Sequence, residues 1–252
     1  MAACYAKSHF WKSMIPILLL TFYSQCGQDQ YIYESFFKEK PKGIFIDIGA
    51  HDGITFSNTK FFEELGWEGI CIEPIPEVFE ELKKNRSSIC VKGCISDKAG
   101  TGRFLRIKGY PEMLSGLLDY YDPTHLGRAL TEIYSAPTNS CDVIAVECFL
   151  LNDILEKNGY FHVDYLSLDT EGGEFEILQS IDFEKFDIEI IEVENNFNES
   201  KIRYFLASKG YEFMGQAGWD DVFRKRERSK ALFGIKTEIA ELAPSSQESG
   251  LK

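Results

Sequence analysis

At 252 residues the chain is long enough for one α/β domain with a continuous core and room for insertions. Its hydrophobic content of 44% is ordinary for a globular protein. A net charge of −13 and a pI near 4.9 exclude phosphate-backbone binding as the main task, so nucleic acid is not an expected partner.

Residues 1–13 show no period. Met14 to Tyr23 is a short apolar run behind Lys7 and Lys12, the order of a secretory signal, but Pro16 interrupts it and no small-x-small cleavage site follows. The run is also too short to span a bilayer. Residues 1–21 are therefore expected to be an extension that packs on the domain, without a stable membrane span. The polar stretch Ser24-Gln-Cys-Gly-Gln-Asp29 then leads into a predicted helix from Gln30 to about Lys38, stopped by Pro41. This stretch stands just before the first core strand, where it can close over a ligand. Asp29 reads equally as an ordinary N-terminal helix acid.

Ile44 to Ile48 is an apolar run with one acid, Asp47, the pattern of a strand buried on both faces of a parallel sheet. It breaks into Gly49, Ala50, His51, Asp52 and Gly53, turn chemistry that brings backbone close to a ligand, and a helical pattern follows from Ser57 to Leu65. Strand, glycine turn and helix make the first half of a nucleotide-binding unit. A dinucleotide site wants Gly-x-Gly-x-x-Gly, but His51 stands where the second glycine would touch a pyrophosphate. A nicotinamide oxidoreductase is disfavoured on that ground. S-adenosylmethionine has no phosphates, and its ammonium and sulfonium favour carboxylates such as Asp47 and Asp52. The next predicted strand, Gly69 to Glu73, ends in an acid 24 positions after Gly49, where such units place the carboxylate for the ribose hydroxyls.

Pro74 and Pro76 open a helix through Lys84. A third strand is predicted over Ile89 to Ser96, with a hairpin turn at Asp97-Lys-Ala-Gly100 into a strand from Gly102 to Ile107. That arrangement puts Ser96 and Asp97 near the adenine. Residues 109–140 hold Gly, Pro, Tyr and Ser without clear period and read as an insertion with at most a short helix, a candidate substrate lid. Further strands are predicted over Cys141–Glu147, Val163–Asp169 and Asp187–Val193, with helices over Phe149–Lys157, Glu174–Ser180 and Ser200–Lys209. Tyr211–Met214 and Asp220–Lys225 read as an antiparallel closing pair. From Arg226 the chain is charged and then Pro/Ser-rich, so 227–252 is expected to be a loosely ordered tail. The seven cysteines include no CxxC pair, which supports neither zinc nor a disulfide framework and points to a reducing, cytoplasmic setting.

Four stretches together, Ser24 to Asp29, Phe45 to Gly53 with Ser57-Asn-Thr59, Cys71 to Pro76, and Asp164 to Glu174, resemble the FkbM-type S-adenosylmethionine-dependent methyltransferases. Gly218 to Phe223 fits as well. The resemblance covers residues 22–226. It implies a class I methyltransferase fold, a Rossmann-like seven-stranded sheet parallel except for its last strand, with helices on both faces. It also implies O-methylation of a sugar, glycan or small natural product. On this reading Asp47, Gly49, Ala50, His51, Asp52 and Gly53 hold the amino-acid end of the cofactor, Glu73 its ribose, and Ser96 and Asp97 lie by the adenine. Asp169, an acid closing a buried strand, and Glu171 beside it are the expected catalytic pair, read as a general base rather than a metal site. The competing expectation is a catalytically silent member of the fold that serves in binding or trafficking.

Overall fold

The protein is described by a computed structural model covering residues 20–227 apart from Asp122 and Phe197; the expectations for residues 1–19 and for the tail from 228 lie outside it. Seven strands form the main sheet: β1 (Ile44–Ile48), β2 (Glu68–Glu73), β3 (Ile89–Lys92), β8 (His162–Leu168), β9 (Asp187–Glu194), β10 (Tyr211–Ala217) and β11 (Asp220–Lys225). Their order across the sheet is β10-β11-β9-β8-β1-β2-β3, and only β11 runs antiparallel to its neighbours. The central strands carry near-continuous Ile, Val and Leu because both faces are covered. One face packs under α1 (Gln28–Ile32), α2 (Lys60–Glu64) and α3 (Pro76–Asn85), through Phe45, Cys71, Tyr165, Phe62 and Leu82. The other meets α5 (Leu151–Asn158), α6 (Glu174–Ser180) and α7 (Ser200–Ser208), through Ile46, Ile72, Leu166, Leu155, Ile177 and Leu206. No described helix is long and apolar enough to cross a membrane.

Several sequence expectations are corrected. The helix expected from Ser57 begins only at Lys60, because the Ser57 hydroxyl accepts the backbone N–H groups of Thr59 and Lys60 and holds that turn open. The first helix starts earlier, at Gln28, and its second half widens into a π-helical turn over Tyr33–Phe37. The third strand does not run on to Ser96. It breaks at Gly93, whose φ of 149° and approach to the Glu147 carbonyl exclude a side chain. The chain then joins a second sheet as β4 (Cys94–Ile95), and there is no hairpin at Asp97. Both β4 and β5 (Gly100–Lys108) pair with β7 (Ser140–Phe149), parallel and antiparallel respectively.

The segment read as an insertion with at most a short helix carries more structure than that. It holds a 3-10 turn (Glu112–Leu114), a short strand β6 (Gly116–Leu117) paired with β5, and α4 (Pro123–Ile133). Eleven residues long, α4 packs Ala129 and Ile133 on Leu105, Ile107 and Leu114.

At the far edge, the β10–β11 turn is anchored by Asp221. Its carboxylate is fully buried and takes two bonds of 2.7 Å from the Arg203 guanidinium and one of 2.8 Å from Asn195. Asp221→Ala leaves both donors without their acceptor. Because Arg203 remains partly hydrated, the expected loss is about 2–3 kcal/mol. Urea unfolding with an unchanged m-value checks it.

Candidate active site

A pocket of about 550 Å³ opens beyond the carboxyl ends of the parallel strands, the place where such sheets bind ligands. The turn after β1 forms its floor. Gly49 and Ala50 donate to the Ile72 carbonyl at 3.1 and 3.0 Å, which closes the turn over β2. Gly49 has φ 89°, and a Cβ there would lie 1.8 Å from the Asp169 carbonyl oxygen. This glycine is required by the neighbouring strand end, not by a ligand.

Three non-glycine residues on the pocket wall hold left-handed backbone: His51 (φ 48°), Phe56 (φ 56°) and Glu171 (φ 58°). Each such conformation costs about 1–3 kcal/mol and persists only where its surroundings fix it. At His51 that fixing comes from Glu73, which accepts the His51 N–H at 3.2 Å, and from Glu112, 3.0 Å from His51 Nε2.

Of the residues expected to bind cofactor, Asp47, Gly49, Ala50, His51 and Glu73 line the pocket. Burial pushes the Glu73 carboxyl up to about 8, although the Ile75 and His51 N–H groups oppose the shift. Burial also raises Asp47, opposed by Arg86 at 3.7 Å and by the Thr59 hydroxyl. Asp52, Gly53, Ser96 and Asp97 are not on the pocket wall. Asp52 closes its own turn by accepting from Ile54 N, Thr55 N and the Thr55 hydroxyl. Gly53 abuts Arg86 and Leu82. The Ser96 hydroxyl lies 2.8 Å from that of Tyr120, which also donates to Asp97.

Asp169 follows β8 directly, and its N–H bonds the Ile48 carbonyl. Its carboxylate is exposed to the pocket. The protein otherwise surrounding it, with the charges of Asp220 and Glu174, pushes it up to about 8. Glu171 and Glu194 lie beside it, and burial together with Asp169 drives both well above the carboxylate range. Oxygens of Asp169, Glu171 and Glu194 all fall within 4.8 Å of one another, a hard-oxygen set of the kind that holds a divalent cation. The sequence reading missed Glu194 as a partner, since it reaches the site only through the pairing of β9 with β8. Glu174 instead caps its own loop, accepting from Thr170 and Gly172.

Three further contributors come from outside the strand ends. Gln28 donates to Asp220 at 3.1 Å across the pocket wall, and Trp219 and Phe56 expose their rings there. From the insertion, Glu112 reaches His51, Tyr120 reaches the Ser96–Asp97 loop, and His125 Nε2 lies 3.3 Å from Glu171. The insertion thus touches the turn after β1, the Ser96–Asp97 loop and the loop after β8.

Compared with known proteins, residues 47–213 match the family described as Methyltransferase FkbM domain. No curated protein matches the chain.

The buried acids make stability depend on pH. Glu73 titrates near 8 when folded and near 4.5 when unfolded, so between those values the folded chain holds more protons. Stability from this group is complete below about 4.5 and lost as pH rises to about 8. The ligand-free protein should therefore weaken between about pH 5 and about pH 8. Glu73→Gln, neutral throughout, should flatten that fall in urea midpoints taken across the range.

Proposed function

The chain belongs to the FkbM methyltransferase domain family, and from that premise we propose an S-adenosylmethionine-dependent O-methyltransferase acting on a hydroxyl of a sugar, glycan or small natural product. The observation that carries this reading is the acidic lining of the pocket. Asp47, Glu73, Glu112, Asp169, Glu171, Glu194 and Asp220 line it, against the single guanidinium of Arg128. Such a wall favours a ligand bearing an ammonium and a sulfonium. The order of the seven strands supports a class I methyltransferase sheet. The six free cysteines among the described residues suit a reducing, cytoplasmic setting.

In this reading Asp47 and the turn from Gly49 to His51 face the amino-acid end of the cofactor, and Glu73 accepts from the ribose. When bound, the cofactor supplies a methyl group already activated by its sulfonium. The residues beyond Asp169 serve the other reactant. Gln25, Gln28, Asn58 and Asn196 offer amides, and Trp219 and Phe56 offer ring faces, a lining suited to a neutral hydroxylated acceptor. The Asp169–Glu171–Glu194 cluster would take the proton of the acceptor hydroxyl as that oxygen is methylated. Asp169, with its pKa raised to about 8, is in its ionised form a stronger base than an ordinary carboxylate. Glu194 also favours a second reading, in which the three acids hold a divalent cation that binds the acceptor oxygen.

Two substitutions test the assignment. Glu73→Ala removes bonds to a charged acceptor worth about 1.5–3 kcal/mol, so affinity for S-adenosylmethionine by calorimetry should fall about 10- to 100-fold. Unchanged affinity in a folded variant removes Glu73 from the site. Asp169→Asn should keep cofactor binding and lose methyl transfer from labelled cofactor. Turnover of the wild-type protein that survives a chelator identifies the base; loss restored by Mg²⁺ identifies the cation.

A further inference from the structure

We propose that His125, from the insertion, is a positioning residue for Glu171, resting on the methyltransferase reading for its effect on turnover but not for its effect on the loop. The inference starts from an inconsistency in α4. Its buried stripe is His125, Ala129 and Ile133, one residue every four, and it packs into the apolar cluster of Leu105, Ile107 and Leu114. An imidazole 2% exposed at the end of such a stripe is costly unless its polar atoms are used. His125 Nε2 faces Glu171 Oε2 at 3.3 Å. The ring is held in that direction by Tyr121, whose own ring lies 4.8 Å away at 35° and whose hydroxyl donates to the Leu114 carbonyl.

Glu171 needs such support. Its φ of 58° is left-handed, and its side chain reaches the pocket from a loop that contains two glycines. The insertion fixes the backbone of that loop by close approach. A Cβ on Gly116 would lie 3.2 Å from the Glu171 carbonyl, and one on Gly172 would lie 2.9 Å from the Tyr120 carbonyl. On Gly173 it would meet the Tyr120 ring at 2.7 Å. Backbone packing sets where residue 171 is; His125 sets where its carboxylate points. The insertion is therefore part of the machinery of the site as well as its wall.

The test uses the full chain with His125→Leu, which keeps the packing, and His125→Gln, which restores an N–H donor. Without substrate, hydrogen exchange at residues 170–173 should rise about tenfold in His125→Leu, as expected for losing one close polar contact that orders the loop, and return toward wild type in His125→Gln. With an acceptor that the wild type methylates, His125→Leu should lower kcat about 100-fold while the affinity for S-adenosylmethionine stays unchanged. In a Glu171→Ala background the same substitution should change residual turnover less than about twofold, because no carboxylate is left to orient. Unchanged exchange and kcat in folded His125→Leu overturn the proposal. An equal loss in the Glu171→Ala background also overturns it, by reducing His125 to general packing. If the wild type methylates no acceptor, the methyltransferase reading fails, and the exchange measurement still decides for or against His125.

Discussion

The contact between Gly49 and the Asp169 carbonyl is the constraint on which the site depends. With 1.8 Å between that oxygen and where a Cβ would stand, the turn after β1 and the end of β8 are effectively one surface. The Asp169 N–H to Ile48 bond ties the same two strand ends from the other direction. The parallel register then decides the rest. Asp47 stands opposite Ser167, and Ser167 opposite Glu192, so one face of the sheet carries a row of polar groups leading to Asp169 and Glu194. Asn58 donates to Ser167 at 3.2 Å and joins that row from the loop before α2.

That row is held without matching positive charge. Among its members, Asp47 alone has a buried cation, Arg86, which it shares with Glu63 at 2.6 Å. Glu192 is 1% exposed, takes a bond from the Tyr165 hydroxyl, and is pushed by burial and by Asp220 well above the carboxylate range. A neutral Glu192 is the form such a place accepts. Carboxyls kept neutral by bound protons in this way can exchange those protons for another positive charge placed beside them. The acidity of the pocket and the modest number of buried cations are thus one property.

Much of this was readable from the chain. Ile44–Ile48 is a strand with the expected limits, and β9 and α7 differ from expectation by a residue, because long apolar runs and helical periods are local signals. Glu73 and Asp169, each an acid closing a buried strand, lie on the pocket wall, where a strand's carboxyl end puts such a residue. Failures came where the decisive contact is distant. Glu194 ends its strand just as visibly, but only the β8–β9 register brings it beside Asp169. The α4 helix was hidden because its buried stripe contains a histidine and an alanine where large apolar residues would have signalled a period. Ser96 and Asp97 were placed by extending a strand that Gly93 turns into another sheet.

The hydrogen bond from Gln28 to Asp220 joins residues 192 positions apart, and the Gly218 backbone presses on Cys26 in the same region. The wall on that side therefore consists of an early segment and the last hairpin of the sheet. During synthesis the first of these leaves the ribosome while the second does not yet exist, and at about 5–20 residues per second the interval is roughly 10–40 seconds. β9 itself is complete only 26 residues before Asp220, so at that rate its open edge lasts about 1–5 seconds. A chain halted before β11 would hold the turn after β1 but not the Asp220 part of the wall, so the pocket is completed only when β11 forms.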